Sequence, residues 1–427
     1  MKILLKKGRI VDPAVDRDEV LDVLVNGDRI EKIDKNIQAT GADVQVITAE
    51  GLVVAPGLID AHAHLREPGY EYKETIKTGT MAAVKGGFTT VVCMANTDPV
   101  NDNRSVSEYI VRKAASEGVA RVFPCGAITK GLKGEELAEI GEMYEAGIVA
   151  LSDDGKSVSN SALLLKGMEY AKIFGLPVIS HCQDETLSHG YVHEGHASLL
   201  SGLDAVPALA EEIVARRDIM LARYVATPIH ITHVSSGGSV AIIRDEKGRY
   251  DRVTGDTCPH YFTLTDEATL TYDTNTKVNP PLRSREDVTA IMEGLRDGTI
   301  DVIATDHAPH DGPSKDMEFN VASFGISGLE TALPLCLALV RDGVLTLKEL
   351  IRKLTINPAR ILRLPYGTLQ EGSIADLVVF TTEAEWTVDK TQFLSKGKNT
   401  PFHGWKLRGK NLLTIVGGKI VYRDHAL

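Results

Sequence analysis

Two histidines one residue apart, with an arginine at the same spacing beyond them, form the stretch Ile59-Asp-Ala-His-Ala-His-Leu-Arg66. The apolar residues Leu52, Val53, Val54 and Pro56-Gly57-Leu58 precede it, so His62 and His64 are expected at the end of a buried strand. Side chains alternate faces along a strand, which turns both imidazoles to one side. Two such nitrogens can grip one divalent cation, and Arg66 can hold a substrate carboxylate beside it. Three residues of matching chemistry follow other apolar runs: His181 after Pro177 to Ser180, His233 after Ile229 to Thr232, and Asp306 after Val302 to Thr305. With 13 histidines in the chain, one His-x-His is weak evidence. The same residue types at four separate strand ends carry far more weight.

Imidazole nitrogen and carboxylate oxygen suit Zn²⁺, with Mn²⁺ or Co²⁺ able to substitute. A catalytic zinc keeps an open position and brings the pKa of a bound water from about 15.7 to about 7. Clustered thiolates, the mark of a structural zinc site, are missing. The five cysteines (Cys93, Cys125, Cys182, Cys258 and Cys336) are scattered and odd in number, which fits buried reduced thiols in a cytoplasmic protein.

The elements that must position these groups repeat along the chain. Apolar strand-like runs, each followed by a helix-like stretch, recur at Thr89–Met94, Arg121–Ile128, Ile148–Leu151, Pro177–Ser180, Pro228–Thr232, Arg252–Thr257 and Asp301–Thr305. With the run before His62 they number eight, the count of a (β/α)8 TIM-like barrel, whose C-terminal rim gathers the loops and the active site. Asn96, Asp153, Asp154, His181, His233 and Asp306 all follow such runs. Shorter alternating segments open and close the chain, including a Gly27-Asp28 hairpin turn and Ala375–Phe380, Leu412–Val416 and Lys419–Tyr422. They imply a small β-sandwich domain built from residues 1–54 and 365–427, around a barrel spanning 55–364.

At 427 residues and 43% apolar content the chain can bury a large core. A formal charge of −11 argues against nucleic acid or an anionic membrane as partner. No secretory signal and no run of about 18 apolar residues is present, so a cytoplasmic location is expected.

Several segments give a resemblance. Asp60-Ala-His-Ala-His-Leu-Arg-Glu-Pro-Gly69 and Ala304-Thr-Asp-His-Ala-Pro-His310 resemble the two signature segments of the dihydroorotases, members of the amidohydrolase superfamily. Met94-Ala-Asn-Thr97, Ser152-Asp-Asp-Gly155, Ile231-Thr-His-Val-Ser235, Cys258-Pro-His260, Lys277-Val-Asn-Pro-Pro-Leu-Arg283 and Phe324-Gly325 continue it across the barrel. The pattern is similar to the long bacterial class I type.

This resemblance implies a zinc-dependent cyclic amide hydrolase that interconverts N-carbamoyl-L-aspartate and L-dihydroorotate in pyrimidine synthesis. It implies that His62, His64 and Asp306 bind one metal and His181 and His233 a second, one or two zinc ions in all with two favoured. Many relatives bridge the metals with a carboxylated lysine. Here Ser152-Asp153-Asp154 stands in that place, so Asp154 is assigned the bridge, with Asp153 and a carboxylated Lys156 as alternatives. His64, Arg66, Asn96 and His310 are implied at the substrate carboxylate or beside it, and Asn279, Phe324 and Gly325 at the ring. Asp306 is implied as the catalytic base and then acid.

His260 and His307 are read as residues that orient ligands. His189, His193 and His196 are read as a mobile rim loop, and residues 311–323 as a lid. The rival readings are a hydantoinase or allantoinase, which needs no carboxylate clamp, and a scaffold for a carbamoyltransferase. The resemblance further implies a homodimer and possible association with a carbamoyltransferase.

Overall fold

The computed structural model describes residues 2–39 and 43–427. Its centre is a ring of eight parallel strands: β1 (Leu58–Ala63), β2 (Phe88–Cys93), β3 (Arg121–Gly126), β4 (Ala150–Leu151), β5 (Val178–Ser180), β6 (Ile229–Ile231), β7 (Val253–Thr257) and β8 (Val302–Ile303). They hydrogen-bond in chain order. β2 to β8 each fall within or within one residue of an apolar run read from the sequence, and β1 begins at the end of the run before His62 and carries on through it. The ring closes where His64 N donates to the His307 carbonyl at 2.8 Å. At the same seam the Asp60 carboxylate accepts from Thr305 N at 2.9 Å and Thr305 Oγ1 at 2.5 Å.

Nearly every residue on both faces of these strands is buried, which explains their largely apolar character. Small and medium side chains fill the barrel interior, among them Ala61, Val92, Met94, Cys125, Ala150, Ile179, Val302 and Ala304. They form a solid floor beneath the rim. Helices cover the outside, and their ends follow local chemistry. Thr75, Asn103, Asn160, Ser236 and Ser284 each accept a backbone N–H as N-cap. Gly87, Gly175 and Gly298 end helices in the left-handed conformation.

The chain ends meet in one sheet of eight strands. Five come from residues 2–56 and three are Leu377–Thr387, Lys406–Val416 and Lys419–Arg423. Ile3, Leu5, Ile10, Val23, Val54, Leu377, Val379, Leu413 and Ile415 share its core, as a β-sandwich domain requires. Val53–Pro56 joins Arg9–Ile10 in parallel and Leu377–Phe380 antiparallel. Only Gly57 then separates that sheet from β1. A Cβ there would lie 2.2 Å from Thr89 Oγ1, so the direct passage into the barrel requires glycine.

Candidate active site

The rim brings His62, His64, Asp154, His181, His233 and Asp306 together, all buried. The donors around the first pair fix their tautomers. Thr232 Oγ1 gives its proton to Asp256 Oδ2 at 2.9 Å and lies 2.7 Å from His62 Nδ1, so it accepts from that nitrogen. His64 Nδ1 donates to Asn96 Oδ1 at 2.9 Å. Both histidines therefore turn an Nε2 lone pair inward, His64 to 3.1 Å from Asp306 Oδ1 and His62 to 3.5 Å. His62 Nε2 is buried with no hydrogen-bond partner among the described residues.

Asp154 stands between the two groups. Its carboxylate lies 3.4 Å from His62 Nε2, 3.5 Å from His64 Nε2, 3.5 Å from His181 Nδ1 and 3.3 Å from His233 Nε2. His181 Nε2 is held by Gln183 Oε1 at 2.9 Å, which leaves Nδ1 as the free lone pair, 2.8 Å from His233 Nε2. So many acceptors converging out of water call for cations between them. Without them a proton fills the role. Burial opposes charging His62, yet Asp154, Asp306 and Asp256 outweigh it and push its pKa up to about 10. Burial likewise opposes ionising Asp306, but the surrounding histidines bring it down to about 2. The donor set fits metal ions of the kind expected from the sequence.

Asp153 faces the other way. Its carboxylate accepts from Ile128 N at 2.7 Å, from Thr129 N at 3.0 Å and from the Thr129 hydroxyl. Lys156 is exposed beyond the strand end. Of the three residues considered for the bridging place, only Asp154 lies among the imidazoles.

Three site residues adopt left-handed backbone angles that side chains disfavour: Arg66 (φ 62°), His233 (φ 39°) and Asp306 (φ 45°). Each such residue costs about 1–3 kcal/mol unless its surroundings hold it. Here the turn off each strand end aims the side chain into the barrel mouth.

Above the ligands lies a cavity of about 330 Å³. His64, Arg66, Asn96, Asn279, His310, Phe324 and Gly325, the full set read as substrate contacts, line it. Because Asn96 Oδ1 accepts from His64, its amide NH₂ remains to donate. Asn279 Nδ2 donates to Gln183 Oε1 at 2.6 Å, which leaves Asn279 Oδ1 as an acceptor. Arg66 Nε donates to the Pro309 carbonyl at 3.3 Å, and an Nη lies 3.4 Å from His310 Nε2. Burial lowers the Arg66 pKa to about 10, so it remains a cation at neutral pH. Burial and the cations Arg66, Lys73 and Lys315 push His310 down to about 2, so it is neutral. Its Nε2 donates to the Phe324 carbonyl at 2.7 Å.

Several positioning residues escaped the sequence reading. Asp256 accepts from Thr232, from His233 N at 2.6 Å and from His230 Nε2 at 2.7 Å, and so orients two metal-site histidines at once. Gln183 orients His181 and Asn279 together. Asn399 reaches in from the other end of the chain: its Nδ2 donates to the carbonyls of Ala308 and Gly325 at 3.0 and 2.9 Å. Its Oδ1 accepts from His310 N at 2.9 Å. The strand-end position of Asp256 was a usable signal, whereas Asn399 had none.

His307 touches the clustered donors through its backbone, its carbonyl accepting from His64 N, and not through its ring. The ring ties the barrel seam instead, accepting from Gly328 N at 3.1 Å and lying 3.4 Å from Glu74. His260 is buried next to Asp306, with an unpartnered Nε2. The segment around His193 carries regular structure: Val192–His193 pairs with Ala205–Val206, and buried His193 Nδ1 accepts from Arg283 at 3.2 Å. Short connecting strands of two residues leave no periodicity to read. Residues 311–323 start with a short helix, Gly312–Lys315, and bring Ser323 to the cavity.

The amidohydrolase family model matches residues 53–421. A dihydroorotase of Syntrophus aciditrophicus is 52% identical over 425 residues, 99% of this chain and all of that protein. One of Acetivibrio thermocellus is 51% identical over 427 residues, the full length of both. Among solved structures, the L-hydantoinase of Arthrobacter aurescens superposes with a TM-score of 0.88 at 25% identity, over 99% of this chain and 96% of that one. The dihydropyrimidinase of Brevibacillus agri, at 23% identity and a TM-score of 0.86, shares the fold. Full-length identity above one half, together with the histidine- and aspartate-lined barrel mouth, shows that the chain belongs to the dihydroorotase family of amidohydrolases.

Proposed function

We propose that the chain is a zinc-dependent cyclic amide hydrolase interconverting L-dihydroorotate and N-carbamoyl-L-aspartate in pyrimidine biosynthesis. One observation carries the reading. A single small cavity has a cluster of metal-type donors at its base and a cationic clamp, Arg66 with the Asn96 amide, on its wall. A cyclic imide bearing one carboxylate matches that pairing.

His62, His64 and Asp306 would hold one zinc and His181 and His233 a second, with Asp154 between them. When bound, the metal supplies Lewis acidity and makes water acidic enough to lose a proton near neutral pH. Arg66 grips the carboxylate in two-point fashion, and Asn96 adds a donor. His310 stands beside them, with a proton on Nε2 that it can share with an incoming carboxylate. Asn279 Oδ1 accepts from a ring N–H, while Phe324 and Gly325 bound the ring and exclude water. Asp306, ionised at neutral pH, takes the proton of the attacking water and returns it to the departing ring nitrogen. Cyclisation in the reverse direction uses the same groups.

A hydantoinase reading draws on the likeness to the L-hydantoinase structure, but such a substrate leaves Arg66 without a carboxylate. A scaffold without activity would not need all six ligands. The small-molecule substrate is the primary partner. No described helix is long and apolar enough to cross a membrane. We further infer a homodimer, a cytoplasmic location, an added association with a carbamoyltransferase, and a division into a composite domain of residues 1–54 and 365–427 around a barrel of 55–364. These rest on the sequence reading.

The test is hydrolysis of L-dihydroorotate, hydantoin and allantoin with the metal stripped and then restored. Activity on dihydroorotate should vanish and return with zinc. Restored turnover of hydantoin or allantoin in preference to dihydroorotate would overturn the assignment.

A further inference from the structure

Lys277 is among the largest fully buried side chains of the protein, and the chemistry above gives it no work. Its ammonium lies 4.4 Å from the centre of the Phe324 ring, 4.6 Å from that of Tyr191 and 5.8 Å from that of Phe319. Its one hydrogen-bond acceptor is the Asn320 carbonyl at 3.1 Å. Among the described residues it forms no ion pair with a carboxylate. Its backbone carbonyl accepts from Gly325 N at 2.9 Å. The same residue therefore holds the 319–325 loop twice, and two positions on it stands Asn279, on another wall of the cavity.

Lys315 repeats the arrangement from the other side. Its buried ammonium donates to the carbonyls of Ser323 and Gly325 at 2.7 and 3.2 Å, again with no carboxylate paired to it among the described residues. A buried ammonium without a counter-ion persists only where carbonyls and ring faces replace its water. All of those replacements except the Tyr191 ring belong to the loop in its present position, so moving the loop would strip Lys277 of Asn320, Phe319 and Phe324 together. Burial already draws the Lys277 pKa down to about 8, consistent with the absence of a nearby anion.

We propose that Lys277 is a positioning residue for substrate binding. Its ammonium, caged by Tyr191, Phe319 and Phe324, fixes the loop that carries Phe324 and Gly325 against the substrate cavity, and Lys315 secures the loop's C-terminal end at Ser323 and Gly325. The role in binding rests on the dihydroorotate reading; the anchoring of the loop does not.

The test compares the full-length metal-loaded parent with Lys277→Met, Lys277→Arg and Tyr191→Leu. Lys277→Met keeps the apolar stem and removes the cation. Cage contacts of this kind are worth about 0.5–2 kcal/mol, so KM for dihydroorotate should rise by about 2- to 30-fold with kcat within about twofold. Chymotrypsin, applied without substrate, should cut within residues 316–324 several-fold faster than in the parent. Lys277→Arg should recover most of both effects, and Tyr191→Leu should show a smaller shift in the same direction. Unchanged KM and unchanged cleavage in Lys277→Met, or a fall in kcat with KM constant, would overturn the proposal. A purely structural lysine would lower the melting temperature without separating KM from kcat. Should Lys277→Met fail to fold, Tyr191→Leu decides: parental KM and cleavage there refute the cage. If the parent does not turn over dihydroorotate, the substrate reading fails while the cleavage rates still report on the anchor.

Discussion

Asp153 and Asp154 are adjacent in the chain yet their carboxylates serve different sides of the fourth barrel strand. Asp154 faces four imidazoles, while Asp153 closes the turn at Ile128 and Thr129. Asp154→Ala should therefore lose metal and activity together, as metal analysis and a dihydroorotate assay would show. Asp153→Ala should keep its metal but leave buried N–H groups unpaired, a loss of about 1–3 kcal/mol seen as a melting temperature lower by several degrees. Lys156→Ala should match the parent in both. An inactive, metal-poor Lys156→Ala would return the bridging role to a modified lysine.

The eight barrel strands and five of the six clustered donors, all but Asp154, were legible for a shared reason. Parallel strands buried on both faces leave continuous apolar runs, and metal chemistry narrows the residues at their ends to histidine and aspartate. Asn399 was not legible because it acts through backbone carbonyls of a loop 74 and 91 residues away, with a residue type common on any surface. The Thr232–Asp256 relay was hidden for a similar reason, since its hydrogen bonds join two strands whose register no local pattern reveals. The strand at His193 is two residues long, too short for alternation to mark it.

His62 couples metal binding to pH. Its pKa rises from 6.5 to about 10 in the metal-free protein, because three carboxylates outweigh the burial that would discharge it. A raised pKa gives stability that is complete below the unfolded value and is lost as pH climbs through the folded one. Metal-free protein should therefore lose stability between about pH 6.5 and pH 10, while the metal-loaded form holds steadier over that span. Calorimetry at pH 7 in buffers of different ionisation heat should register a proton released on zinc binding. No proton release would show that His62 is already neutral before the metal arrives.

Asp306 is asked to bind metal and to move a proton. Asp306→Asn keeps the shape and can still offer an oxygen to the metal, but it cannot take up the proton of water. Turnover in both directions should fall by a factor on the order of 10²–10⁴ even in preparations that retain zinc. An asparagine variant with near-parental kcat would remove Asp306 from the proton path.

Arg66 should discriminate by charge. Its planar guanidinium can meet both oxygens of a carboxylate, which the ammonium of Arg66→Lys cannot do with the same geometry. Loss of one charged hydrogen bond is worth about 1.5–3 kcal/mol, so KM for dihydroorotate should rise by about 10- to 100-fold. Competition by hydantoin, which has no carboxylate, should be unaffected. Equal weakening of both ligands would mean that Arg66 only supports the wall of the cavity.

Asn399 extends the site to the far end of the chain. It grips Ala308, His310 and Gly325 at once, and its Oδ1 also accepts from Ser327 Oγ at 2.9 Å. Asn399→Ala would leave two carbonyls, one backbone N–H and one hydroxyl without this partner inside the protein. Asn399→Asp restores the acceptor but replaces the donor with a charge facing two carbonyls, so it should be the worse substitution. Both should raise KM more than they lower kcat, because the ligands on the other strands stay in place while His310, Phe324 and Gly325 shift. Zinc content equal to the parent with a raised KM is the expected signature. Loss of zinc in Asn399→Ala would instead place this residue in support of Asp306, through the turn that joins it to His310.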